Sequence, residues 1–433
     1  RLQNDLEILL SDAETGKSHI IYHEENPYYI DITNNLYFLK NGHFILTSEK
    51  DGYNHIYIFD ETGKEIKQIT HGQWDVMSIV SVDKENELVY YTSSQDGSMN
   101  NMLYSITFDG QNIQKMFEQE GTYNANFSKT HKYFILTYSN ANLPNQYSIY
   151  ETKRIKKLVD IENNDALIKQ MEEYDFVKKE FLTFPGKEGD ELSAWIMKPN
   201  NMKKDKKYPI LIYIYGGPGS QTVKNSWGGF DFVWYQLLVQ KGIIVVSVDN
   251  RGTGGKGETF KKQTYLQLGK LESDDIIEVA RYLSNLDYVD SKYIGIFGWS
   301  YGGYLSALCL TKGSDVFTAG ISVAPVTNWR YYDNIYTERF MRTPQENPDG
   351  YDKNSPTHYA KKLKSPLLLV HGDADDNVHV QNAMEFANAL VDANKQFDFF
   401  IYPNKNHGIY GGYTRYHLYN KMTKFLFNNF NLD

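Results

Sequence analysis

Two apolar runs constrain this fold more than any other feature of the chain. "YPILIYIYGG" (208–217) and "KGIIVVSVDNRG" (241–252) show no alternation of polar and apolar residues. A strand of that kind must be covered on both faces, as in a parallel sheet flanked by helices. The neighbouring segments agree. "SDDIIEVARYLSNL" (273–286) has the helical spacing of apolar residues, with acidic residues at its start. "YIGIFGWS" (293–300) reads as another buried strand, and "YGGYLSALCL" (301–310) opens a helix. "PLLLVHGDADD" (366–376) supplies a late strand, and "NAMEFANALVDAN" (382–394) a helix. Strands alternating with helices imply a doubly wound, mostly parallel α/β domain, expected over residues 172–433.

The first 165 residues have a different rhythm. "HFILTS" (43–48), "HIYIFD" (55–60), "LVYYTS" (88–93), "LYSITFD" (103–109), "YFILTYS" (133–139) and "QYSIY" (146–150) are short, aromatic and β-branched, with turn signals between them. They repeat. Thr47, Thr92 and Thr137 stand 45 residues apart, and Gly16, Gly63 and Gly110 stand 47 apart, as do Tyr57 and Tyr104. A period near 45 with about four strands per unit is the signature of β-propeller blades. Residues 1–165 hold three to four such units, whereas a closed ring needs about four to eight. A further N-terminal portion of the propeller is therefore expected outside this chain, or from another one.

The formal charge of −9 argues against nucleic acid and anionic membranes as partners. The basic run Lys203 to Pro209 reads as a solvated loop. No apolar stretch reaches the length of a membrane span, and no segment here reads as a signal peptide. The single cysteine, Cys309, lies in an apolar helix and excludes an internal disulfide. No Cys/His cluster has metal-ligand spacing.

Gly298-Trp299-Ser300-Tyr301-Gly302 fits G-x-S-x-G between a buried strand and a helix, the context of a nucleophile elbow. Such a turn lifts the Ser300 hydroxyl above the sheet edge and aims the Tyr301 backbone N–H at a developing oxyanion. A serine nucleophile needs a base, and the base needs a carboxylate, in the chain order Ser, Asp/Glu, His. "VHGDADDNVHV" offers Asp373, Asp375 and Asp376, and spacing does not choose among them. His407 lies in the Gly-flanked loop "NKNHGIYGG"; His371, His379 and His417 are the other histidines to weigh. His371 precedes the acid and breaks the chain order, and His417 sits in the helix "RYHLYNKMTKFLF".

"GWSYGGY", "VAPVTNWRYYDNIYTERFM" (323–341), "HGDADDNVH" and "NHGIYGG" together resemble the dipeptidyl peptidase IV branch of the prolyl oligopeptidase family of serine peptidases. The resemblance implies an α/β-hydrolase fold preceded by a partial β-propeller. It implies the triad Ser300, Asp375 and His407, with the Tyr215 hydroxyl in "YIYGGPGS" as second oxyanion donor beside Tyr301 N–H. Positions Val326, Trp329, Tyr332, Tyr336 and Val378 match the lining of a flat apolar pocket for proline or alanine, closed by Tyr301. Asn377 matches a residue that holds a substrate carbonyl. The spacing of Trp329, Tyr332 and Tyr336 places them on one face of a single helix. The implied activity is release of X-Pro or X-Ala dipeptides from peptide N-termini through an acyl-enzyme, with no cofactor and no metal. The alternatives are a prolyl tripeptidyl or acylaminoacyl peptidase, or a non-catalytic peptide-binding scaffold. A homodimer, and a periplasmic or secreted location, are what the resemblance suggests. The family's ammonium-binding glutamates lie further upstream than this chain reaches. Glu24 and Glu25 are expected in a polar, solvated loop.

Overall fold

The computed structural model describes residues 2–186 and 189–432. The C-terminal part is built on one eight-stranded sheet: β1 (Glu180–Pro185), β2 (Glu191–Met197), β3 (Tyr208–Ile214), β4 (Ile244–Val248), β5 (Val289–Trp299), β6 (Ala319–Val323), β7 (Leu367–Gly372) and β8 (Asp398–Tyr402). Their order is β1-β2-β4-β3-β5-β6-β7-β8, antiparallel at β1–β2 and β2–β4 and parallel from β4 onward. The two unbroken apolar runs, 208–217 and 241–252, supply β3 and β4. Alternate residues of β3 face opposite layers. Ile210, Ile212 and Ile214 pack with Ile276, Leu305 and Phe386 from the helices Lys270–Ser284, Tyr301–Lys312 and Gln381–Asp392. Leu211 packs with Leu238 and Leu426 from the helices Gly229–Gln240 and Thr414–Phe430. Both faces are dry, which is why these strands carry no polar alternation. The carboxyl ends emerge side by side: Ile214 beside Gly298, Trp299 beside Val323, Val323 beside Val370, and Gly372 beside Tyr402.

The N-terminal part consists of three four-stranded antiparallel meanders and a hairpin of Asp5–Ser11 with Ser18–Glu25. Thr47, Thr92 and Thr137 each lie on the second strand of a meander (Phe44–Ser48, Leu88–Ser93 and Tyr133–Asn140). Tyr57 and Tyr104 lie on the third strands. The repeat in the sequence is therefore the repeat of propeller-type blades. Each blade buries its inner strands on its neighbours, through Ile45, Tyr91, Leu103 and Phe134. Glu24 and Glu25 are not in a loop; they end the strand Ser18–Glu25. Glu24 is half-buried and accepts hydrogen bonds from Ser48 Oγ at 2.7 Å and from the Tyr22 hydroxyl. The β-strand register, which turns Glu24 toward the adjacent blade, replaces the expected solvated loop.

The blades seat on the α/β part through polar contacts. Asp75 Oδ2 accepts the Gly257 N–H at 2.9 Å, and Lys261 bridges Asp31 and Glu49. Asn225 Nδ2 donates to Asn100 Oδ1 at 2.9 Å, and its N–H to the Met99 carbonyl at 2.7 Å. The segment before the first blade also reaches the helix Asn334–Met341. Tyr29 packs edge-on against Phe340, and Gln3 Nε2 donates to the Ile335 carbonyl at 2.5 Å. Among the described residues no helix is long and apolar enough to cross a membrane.

Candidate active site

Ser300 sits between β5 and the helix Tyr301–Lys312 with φ 59° and ψ −120°. A non-glycine residue at positive φ is strained. Here the strain is held by the Ser300 N–H, which donates to the Val323 carbonyl at 2.9 Å, and by the close approach of the helix to the sheet. A Cβ on Gly298 would stand 2.0 Å from the Gly302 carbonyl oxygen, and one on Gly302 would stand 2.1 Å from that of Ile214. Neither position accepts a side chain, so the glycines around Ser300 are required by packing.

Asp375 and His407 follow β7 and β8, on the same sheet edge. His407 Nδ1 lies 2.7 Å from Asp375 Oδ2. Asp375 Oδ1 accepts the N–H groups of Asn377 at 3.0 Å and Val378 at 2.9 Å. Burial drives the Asp375 carboxyl upward, but the bonds from His371, His407 and Val378 N–H outweigh it and hold the group well below the usual carboxylate range. The neighbouring aspartates are placed differently. Asp373 Oδ1 accepts the Asn404 N–H at 2.6 Å, and Asp376 is exposed. Trp299 Nε1 donates to the His407 carbonyl at 3.0 Å, so the residue preceding Ser300 carries the histidine loop. His417 bonds the Tyr402 hydroxyl at 2.7 Å, and His379 is exposed.

Tyr215 follows β3 by one residue, beside the strand that delivers Ser300. Burial raises its phenol above the ordinary value. Its ring lies 6.2 Å from that of Tyr301. The turn after it is held by Asn250, whose Nδ2 donates to the Gly216 carbonyl at 3.1 Å.

Val326, Trp329, Val378 and Tyr301 are buried, and Tyr332 and Tyr336 are partly exposed. The structure brings these aromatics together, but not on one helix. Trp329–Tyr331 is a single 3-10 turn, the chain extends at Tyr332, and the helix begins at Asn334. Two side chains cause the break. Asn328 accepts the Arg330 N–H at 3.0 Å, and Asp333 accepts the Tyr336 N–H at 2.8 Å. Each caps a new start. The rings nevertheless form one wall: Trp329 stacks on Tyr336 at 5.8 Å and meets Tyr301 at 5.4 Å, and Tyr332 stands edge-on to Tyr336 at 5.3 Å. The Tyr332 hydroxyl donates to Asn377 Oδ1 at 2.7 Å, which ties the wall to the acid loop.

Two buried titratable residues lie beneath the site: Glu272, which the sequence did not single out, and His371, weighed as a base and set aside because it precedes the acid. Glu272, on the first turn of the helix Lys270–Ser284, accepts the Gly269 N–H at 2.9 Å and the Tyr301 hydroxyl at 2.7 Å. Burial pushes it up to about 7. His371, the penultimate residue of β7, lies 3.3 Å from Asp375 Oδ2. Glu272 carried one signal, a glutamate three residues into a glycine-started helix.

Two sequence-family models match the two ends of the chain: the N-terminal region of dipeptidyl peptidase IV over residues 1–145, and the prolyl oligopeptidase family over residues 230–433. A third, acetyl xylan esterase, matches residues 134–325 and stops short of Asp375 and His407. A probable dipeptidyl peptidase 4 of Emericella nidulans is 38% identical over 359 residues, covering 81% of this chain and 46% of the relative. The dipeptidyl peptidase 4 of Trichophyton rubrum is 34% identical over 444 residues, covering 99% of this chain and 57% of the relative. The crystal structure of dipeptidyl peptidase 4 from Porphyromonas gingivalis superposes with a TM-score of 0.95 at 43% identity, over 99% of this chain and 60% of that one. The chain thus spans about half the length of the curated relatives it matches.

Proposed function

Because the chain belongs to the prolyl oligopeptidase family, on its dipeptidyl peptidase IV branch, we propose that it carries the catalytic machinery of a serine exopeptidase. The reaction is release of X-Pro or X-Ala dipeptides from peptide N-termini. The observation that carries this reading is the 2.7 Å contact of His407 Nδ1 with a depressed Asp375 carboxylate, on a loop tied to the Ser300 turn.

Each residue has a task in that scheme. Ser300 Oγ attacks the carbonyl carbon of the scissile bond while His407 Nε2 takes its proton. Asp375 holds the imidazole with its Nδ1–H inward and offsets the positive charge that forms. The Tyr301 N–H and the Tyr215 hydroxyl donate to the oxyanion. His407 then returns the proton to the leaving amine, and the acyl group remains on Ser300 until water, deprotonated by the same histidine, releases it.

The wall of Trp329, Tyr332, Tyr336, Val326 and Val378 takes the ring of proline or the methyl of alanine. A larger branched side chain would overpack it. Asn377 Oδ1 is engaged by Tyr332, which leaves Nδ2 to donate to a substrate carbonyl. Peptides bearing proline or alanine second from the N-terminus are the partners this site would take, and a homodimer is a further part of the reading.

A fluorescent fluorophosphonate tests the catalytic claim. The protein should label, and Ser300→Ala should not, with unchanged circular dichroism. Equal labelling of the two would exclude Ser300 as nucleophile. Release of Ala-Ala-Pro units in preference to Ala-Pro would replace the dipeptidyl reading with a tripeptidyl one.

A further inference from the structure

β7 ends with a histidine that this scheme leaves idle. His371 is fully buried. Its Nε2 lies 2.7 Å from the Val378 carbonyl oxygen and 3.3 Å from Asp375 Oδ2. A carbonyl and a carboxylate can only accept, so Nε2 carries the ring proton. Nδ1 is then an acceptor, and it is buried without a partner. A buried acceptor with no donor destabilises the fold. Leucine would fill the same space without that penalty. The polarity of this ring is useful only along the edge that faces the acid.

We infer that His371 is a positioning residue for Asp375, its Nε2–H spanning the carboxylate and the Val378 carbonyl so that both ends of the turn 375–378 are fixed by one ring. The inference rests on the serine hydrolase reading. Asp375 Oδ1 is held by the N–H groups of Asn377 and Val378, and Oδ2 by His407 and His371. Rotation of the carboxyl would break bonds on both oxygens. The same turn carries Asn377 and the pocket residue Val378. One imidazole therefore braces the acid and the pocket floor together.

The bond also shares the charge that His407 faces. Without the His371 proton, Oδ2 attracts the His407 proton more strongly and His407 becomes harder to deprotonate. The acid limb of the activity profile should move to higher pH, by about half to one unit. Glutamine can carry an N–H to nearly the position of Nε2; leucine cannot.

The experiment follows phosphonate labelling of Ser300 from pH 5 to 9 in the wild type, His371→Leu and His371→Gln. Ser300→Ala serves as the blank, and thermal melts run alongside. An upward-shifted limb in His371→Leu, restored in His371→Gln, is the expected result. A less stable His371→Leu with an unmoved limb would reduce His371 to a packing residue and overturn the inference. Wild type no better labelled than Ser300→Ala would instead sink the hydrolase reading, and this inference with it. If His371→Leu does not fold, nitrogen-15 spectra of histidine-labelled wild type decide. A His371 ring protonated at Nε2, with a resonance that moves in Asp375→Asn, supports the assignment. Protonation at Nδ1 contradicts it.

Discussion

Replacing Glu272 with glutamine removes a buried charge from beneath the Ser300 turn and keeps the side-chain volume. Burial is the main reason its carboxyl rises from 4.5 to about 7; the Gly269 N–H and Tyr301 hydroxyl pull the other way, and Asp275 adds to the rise. The folded value lies above the unfolded one. The contribution of this residue to stability is therefore whole below pH 4.5, is lost as pH rises toward 7, and is constant above that. At about 1.4 kcal/mol per pH unit the full loss is about 3 kcal/mol, of which about 2.5 kcal/mol falls between pH 5 and 8. Glutamine does not ionise, so its stability lacks this slope. Any fixed penalty, such as an amide facing the Gly269 N–H, cancels when the slopes are compared. Asp375 has a depressed folded value, so its contribution is lost only as pH falls below the ordinary carboxylate range, and equally in both proteins. Urea unfolding of wild type and Glu272→Gln at several pH values between 5 and 8 measures the gap. It should move by about 2.5 kcal/mol in favour of the variant as pH rises. A gap that stays level would mean that Glu272 ionises as readily folded as unfolded, and would refute the burial argument.

Three further outcomes follow from the site. Asp375→Asn should lower turnover by a factor on the order of 10⁴, because an amide no longer holds His407 in the productive tautomer; a larger loss in the exposed Asp376→Asn would assign the acid to the wrong aspartate. Tyr215→Phe should slow acylation by roughly 10²- to 10³-fold with little change in KM, as for one oxyanion donor, and an effect on KM alone would make Tyr215 a pocket wall. Gly302→Ala should destabilise the fold by about 1–3 kcal/mol and abolish labelling, since its Cβ would meet the Ile214 carbonyl at 2.1 Å; unimpaired labelling and melting would show that the helix can shift at little cost.

The fold was legible where local sequence reports burial directly. β3 and β4 are dry on both faces, and their apolar runs say so without reference to any partner. The blades were legible because a repeat survives in sequence: Thr47, Thr92 and Thr137 recur at one place in three meanders. Pairing order was not legible, since nothing within β4 records that it lies between β2 and β3. Nor did sequence tell Glu24 from a solvated glutamate. Its environment comes from Ser48 on the next blade, 24 residues away.

The site divides along the same line. Ser300 was legible because its glycines answer to contacts a few residues off, at Gly302 and on the adjoining strand. Asp375 was not separable by spacing from Asp373 and Asp376, because all three share one polar loop; their roles diverge only in the folded turn, where Asn404, Val378 and His407 each engage a different oxygen. The aromatic cluster shows how residues with helical spacing can meet without sharing a helix. Trp329, Tyr332 and Tyr336 have helical spacing, yet Asn328 and Asp333 each start a separate turn by taking a backbone N–H. A pattern of three and four counts apolar positions and ignores the capping residues between them. Those caps decide the path. An unbroken helix would leave Tyr332 inside a rigid turn, whereas the extended backbone at Tyr332 lets its hydroxyl reach Asn377 on the acid loop. The break in the helix is thus what joins the aromatic wall to the loop that carries Asp375.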